Sequence, residues 1–189
     1  MTQVIHTLYN NPWLSLKEVA HPGGSSIFSH ETRCNGTIVA VIPFERYGEG
    51  KSACNVHHAR GRVQIRVAVR IETTPCWDSK PVHSALTRGV DLGHTPRQTA
   101  AIELLEEAGY TADEVDFISL GTVRSSKSSD TTNFLYAVDV TGLPRGEALG
   151  DGSELSAEGS IEFNPPSFVI NVVQCPLAIA GVSRLQELL

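Results

Sequence analysis

The spacing of apolar residues changes along the chain, and each change predicts an element. Two short apolar segments, 12–20 and 26–30, suit N-terminal strands. Thr37–Phe44 is a continuous run rich in Val and Ile, which predicts a buried strand. A polar stretch with three glycines, 45–62, reads as a loop. Val63, Ile65, Val67, Val69 and Ile71 then alternate with polar or small residues, the period of a half-buried strand. Residues 73–94 carry Pro75, Pro81, Gly89 and Gly93 and predict loop with one short strand. Further strands are expected at 116–124 and 133–141, joined by the polar turn 125–132. The Gly-rich acidic segment 143–160 reads as loop, 161–163 as a short strand and 178–189 as a terminal helix.

The helix with the fullest punctuation is 96–108. Thr95 and Gln98 fit a capping box, Pro96 takes the first helical position and Gly109 suits a left-handed C-terminal residue. At about 100° per residue, Ala101, Leu104, Leu105 and Ala108 predict a core stripe. Glu103, Glu106 and Glu107 share another arc. Like charges at such spacings destabilise an exposed helix by roughly 0.2–0.5 kcal/mol per pair. No lysine or arginine lies on that arc, whereas a hard divalent cation would offset it. A solvated acidic face is the competing explanation. Many strands with few helices predict an α/β or α+β sandwich in which helices cover a sheet.

Composition narrows the function. The chain of 189 residues suits one core; it is 41% hydrophobic and 19% charged. A net charge of −6 argues against a nucleic-acid partner. No apolar run is long enough to span a bilayer, so no membrane partner is expected. Cys34, Cys54, Cys76 and Cys175 lie far apart with no C-x-x-C pair, which makes a reducing cytoplasm the expected setting. Cys54, His57 and His58 lack a fourth ligand at zinc spacing. Arg66 and Arg70 share a strand face and suit phosphate or a carboxylate, or plain surface charge. Trp77 suits the core, or stacking on a base.

The segment from Arg88 to Tyr110 resembles the Nudix box, a loop–helix–loop signature ending R-E-U-x-E-E-x-G-U, where U is apolar. Glu103, Leu104, Glu106, Glu107, Gly109 and Tyr110 match it, and Gly89, Asp91 and Gly93 suit its loop. Three positions depart: Arg88 stands for the first glycine, His94 for the first glutamate and Ile102 for the arginine that orients a box glutamate. The segments 12–16 and 70–75 are similar to the N-terminal strands and the approach strand of ADP-ribose pyrophosphatase-like members. The resemblance implies a Nudix-like α/β/α sandwich with a mixed central sheet. It implies 1–35 as N-terminal strands able to form a homodimer and 36–189 as the hydrolase domain. It also implies Mg²⁺ or Mn²⁺ on Glu103, Glu106 and Glu107, and cleavage of the diphosphate in a nucleoside diphosphate derivative. Glu103 and Glu158, with Glu154 close behind, are the catalytic candidates, and Arg70 and Gly89 the substrate-binding ones. Because Ile102 and His94 depart, a binding module without turnover and a scaffold for protein interaction stay open beside the enzyme.

Overall fold

A computed structural model of the chain describes residues 4–47, 64–150 and 159–189. Its order is β1 (Ile5–Asn10), β2 (Leu14–His21), β3 (Gly24–Glu31), β4 (Thr37–Tyr47), β5 (Gln64–Thr73), β6 (Pro81–Ser84), β7 (Leu86–Gly89) and α1 (Pro96–Ala108). A single 3₁₀ turn, β8 (Ile118–Val123), β9 (Thr132–Asp139), β10 (Ser160–Asn164), α2 (Pro166–Val172) and α3 (Pro176–Leu188) follow. β1, α2 and a second short strand beside the one expected in 73–94 add to the elements expected from sequence.

The first three strands form their own antiparallel sheet. The other seven form a mixed sheet ordered β10-β5-β4-β9-β8, with β6 on β5 and β7 on β4; among the described strands of this sheet, β4 and β9 are the parallel pair. The two sheets meet where Ser29 N–H donates to the Ser128 carbonyl at 2.8 Å and His30 Nδ1 lies 2.9 Å from the Asp130 carboxylate. The polar stretch 125–132 is therefore the seat of the N-terminal sheet, not only a turn.

The central sheet is covered on both faces, and strand alternation divides the core accordingly. Ala40, Ile42 and Phe44 of β4 pack with Leu135 and Ala137 of β9 under Ala178, Val182 and Leu185 of α3. Val39 and Val41 turn the other way and pack with Tyr136 and Val138 under Ala100, Leu104 and Ala108 of α1. On β5, Val67 and Val69 face the layer of α2 and α3, packing with Val169 of α2, so Arg70, which follows Val69, is sent to the α1 face. β5 lies inside the sheet between β10 and β4, under helices on both faces, so its middle is buried on both sides rather than half-buried.

Candidate functional site

α1 begins and ends as its sequence predicts. The Thr95 hydroxyl accepts from Gln98 N–H at 3.2 Å, and the Gln98 side chain accepts from Thr95 N–H at 2.9 Å. Gly109 closes the helix at φ 73°, donating to the Leu105 carbonyl. The buried stripe, however, is Thr99, Ala100, Glu103, Leu104, Glu107 and Ala108. Leu105, expected in the core, is 38% exposed, while Glu103 and Glu107 are only 4% and 9% exposed. Two carboxylates have thus taken inward positions beside Leu104. Helical period identifies an arc but does not say which of two adjoining arcs faces the sheet.

Arginines on the sheet account for the rotation. Arg70, 5% exposed, forms an ion pair with Glu107, and its Nε donates to Glu72 at 2.8 Å. Glu72 in turn accepts from the Ser84 hydroxyl at 2.6 Å. Arg88 of β7 pairs with Glu106 and with Asp91, the latter at 3.2 Å. The charge missing from the helix arc therefore arrives from strands, a compensation that spacing along one helix does not reveal. Burial opposes the Arg88 charge, but its hydrogen bond to Asp91 and the negative charges of Glu106, Asp91 and Glu103 outweigh it and raise the guanidinium pKa. Arg88 stays charged across the usable pH range.

Glu103, Glu107, Arg88 and Asp91 line a cleft of about 220 Å³. Glu103 and Glu107 supply one wall; Thr87, Arg88 and Gly89 of β7 supply another; Asp91 stands beside them. The turn between β3 and β4 contributes Arg33 and Cys34. Gly89 has a packing reason to be glycine, since a Cβ there would lie 2.8 Å from the Cβ of Cys34. Burial pushes the Cys34 thiol pKa up, ahead of the hydrogen bonds from Thr37 and Gly36 that lower it, so the thiol stays protonated at neutral pH.

The sequence candidates divide as follows. Glu103, Glu107 and Gly89 come together on the cleft wall, and Glu106 reaches it only through Arg88. Arg70 is an internal counter-ion of Glu107 and Glu72 instead of a surface group. Trp77, expected in the core, is exposed beside a second cleft of about 200 Å³. His94 is exposed, as a loop histidine should be. Arg66 pairs with Glu45 at the surface. Glu154, Glu158, Cys54, His57 and His58 lie outside the described residues. Arg33 went unnoticed in the sequence, although Asn35-Gly36 is a strong turn signal and would have located the bend that presents it.

Glu103 and Glu107 fit a hard divalent ion in a specific sense. Mg²⁺ commonly takes one or two carboxylates, leaving water and substrate phosphate to complete its shell. Two buried carboxylates on one cleft wall match that demand. Among the described residues, no three His, Cys, Asp or Glu side chains converge into a ready-made cage.

Compared with solved structures, the chain is similar to a crystal structure of an ADP compounds hydrolase, with a TM-score of 0.64, 14% identity, and coverage of 99% of this chain and 92% of that one. That likeness establishes the fold. No family model matches the sequence, and no curated protein matches it either. No helix among the described residues is long and apolar enough to cross a membrane.

Proposed function

We propose that the chain is a Nudix-type hydrolase that cleaves the diphosphate of a nucleoside diphosphate derivative, such as ADP-ribose or a nucleotide sugar, with Mg²⁺ or Mn²⁺. The observation that carries this reading is the pair of buried carboxylates, Glu103 and Glu107, one helical turn apart on the wall of a cleft that also holds arginines. Burying two like charges in an apolar helix stripe is unfavourable without function or compensation. Arg70 compensates Glu107, and the cleft leaves both acids room to act.

In this reading Glu103 and Glu107 would hold the ion, and Glu106 would complete the set once released from Arg88. The bound ion would supply charge neutralisation on phosphoryl oxygens and a more acidic water. The residues do the rest. The rigid α1, capped at both ends, keeps the carboxylate spacing constant. Arg70 holds Glu107 in one orientation, while Arg88 keeps Glu106 paired until it is released. A water oxygen bonds to one phosphorus, the bridging P–O bond breaks, and the water's proton passes to a carboxylate. Glu158 is the proposed base and Glu103 the alternative. Gly159, next in the chain to Glu158, packs against the Arg70 guanidinium and so lies close to the Glu107 pair.

A second reading has its own support. Glu106 and Glu107 are each engaged by an arginine, an arrangement that suits a nucleotide-binding module without turnover. Incubation of the pure protein with Mg²⁺ or Mn²⁺ and ADP-ribose, dinucleoside polyphosphates and nucleoside triphosphates separates the two. Phosphate released after phosphatase treatment supports the hydrolase, and Glu107→Gln should lower it at least tenfold. Binding with no turnover across the panel would leave only the module. A cytoplasmic homodimer completes the proposal: the N-terminal sheet exposes Ile5, Leu8, Tyr9 and Ile27, and a monomer in sedimentation equilibrium would remove that part.

A further inference from the structure

The cleft has acidic groups on two sides, Glu103 and Glu107 from α1 and Asp91 from the loop after β7. A diphosphate carries negative charge of its own, more than one divalent ion balances, so a side-chain cation that is not already engaged would favour its binding there. Arg70 is buried in its pairs with Glu72 and Glu107, and Arg88 is bound to Asp91 and Glu106. Arg33 is the cleft's remaining arginine, exposed and without a carboxylate partner among the described residues.

Its position is built, not incidental. Arg33 lies in the turn between β3 and β4, where Asn35 (φ 48°) and Gly36 (φ 69°) both adopt left-handed backbone. Gly36 N–H donates to the Glu31 carbonyl at 2.9 Å and Thr37 N–H to the Cys34 carbonyl at 3.0 Å. The Arg33 guanidinium lies 5.9 Å from the ring centroid of Trp13, which is 63% exposed. Trp13 is itself held. The Asn11 side-chain oxygen accepts from Trp13 N–H at 2.8 Å and from Leu14 N–H at 2.7 Å, and Thr32 N–H donates to the Trp13 carbonyl at 3.1 Å. A guanidinium held within cation–π reach of an aromatic face keeps N–H groups for an anion, and its fork matches two phosphate oxygens.

We infer that Arg33, supported by Trp13, is a substrate-binding arm of the cleft and takes a phosphate group of the nucleoside diphosphate derivative. Trp13 acts through Arg33 as a positioning residue. The N-terminal sheet is then part of the binding site. This rests on the proposed reading of the cleft as a diphosphate site.

The test is calorimetric titration of the full chain, with Mg²⁺ present, using ADP and inorganic pyrophosphate as probes. Arg33→Ala should weaken ADP binding at least tenfold with no change in thermal unfolding, and should raise KM more than it lowers kcat for any hydrolysed substrate. Arg33→Lys should recover only part of the loss, because an ammonium offers no planar fork. Trp13→Ala should weaken binding several-fold, Trp13→Phe should restore most of it, and Trp13→Ala added to Arg33→Ala should do no further harm. Wild-type affinity for both probes in Arg33→Ala, alongside weakened binding in Glu107→Gln, overturns the inference and leaves the cleft reading intact. Failure of the wild type to bind either probe, or equal binding by every variant including Glu107→Gln, overturns both.

Discussion

α1 and α3 are both helices of 13 residues, both start on proline, and they cover opposite faces of one sheet. There the likeness ends. α3 buries Ala178, Gly181, Val182 and Leu185, has no side-chain cap at Cys175, and sits on the sheet through apolar packing, with Arg184 donating to the Leu120 and Thr122 carbonyls of β8. α1 buries Ala100, Leu104 and Ala108 together with Glu103 and Glu107. A helix whose inward face includes carboxylates gains less from burial and needs other support. It has a complete capping box, a left-handed glycine at its end, and arginines reaching up from β5 and β7. The face of the sheet under α3 serves stability; the face under α1 surrenders part of that stability to hold charge in place.

The sharpest way to break this contrast is to remove the counter-ion under α1. Arg70→Ala leaves Glu107 buried without its guanidinium and should destabilise by about 3–5 kcal/mol, read from urea unfolding. Replacing both partners, Arg70→Met with Glu107→Leu, should recover most of that stability while activity stays lost. If the single variant is as stable as wild type, Glu107 is not held as described, and α1 would be no different in kind from α3.

The matching change on the other face is steric. A Cβ on Gly181 would lie 2.6 Å from Cγ1 of Ile42, which is fully buried on β4. Gly181→Leu improves intrinsic helix propensity by somewhat less than about 1 kcal/mol. Overpacking costs about 1–3 kcal/mol and should prevail, lowering the melting temperature. Adding Ile42→Ala should return part of the loss. A stabilised Gly181→Leu would mean that α3 does not approach β4 so closely.

Local support can be tested at Thr95. Thr95→Ala removes the hydroxyl that accepts from Gln98 N–H and should cost about 1 kcal/mol. Because α1 sets the carboxylate spacing, the same variant should also lower turnover in any reaction the protein performs. Alanine at Cys175, the cap position of α3, removes no side-chain cap and should affect stability only through the buried volume it empties.

The reasons why some of this was legible in the sequence are physical. Caps are local: Thr95, Pro96, Gln98 and Gly109 lie within reach of the backbone they satisfy, so the limits of α1 could be read directly. The alternation in β5 likewise placed Val67 and Val69 on one face. The acids at 103, 106 and 107 were visible as a cluster, and so pointed to a site. Their partners were not, because Arg70 and Arg88 reach α1 only after β5 and β7 have paired with their neighbours in the sheet. β6 and β7 showed only as one unplaced short strand for a similar reason: each has four residues, too few to show a period, and depends on β5 or β4 for its hydrogen bonds. Arg33 enters the cleft through a turn whose position depends on how the N-terminal sheet docks.

The smallest expected effect, at Leu105, decides which way α1 faces when set beside its neighbour Leu104. Leu104 and Leu105 are adjacent, equally apolar, and were both expected in the core; only Leu104 is fully buried. Leu104→Ala should cost about 2–5 kcal/mol through lost burial and a cavity against Val39, Val41 and their neighbours. Leu105→Gln sits at a position 38% exposed and should cost no more than about 0.5 kcal/mol. The difference between the two, measured under one set of conditions, reports the rotation of the helix about its axis. A large loss at Leu105 with a small one at Leu104 would turn α1 by about 100°. Glu103 and Glu107 would then leave the cleft wall, and the buried-carboxylate argument for a diphosphate site would go with them.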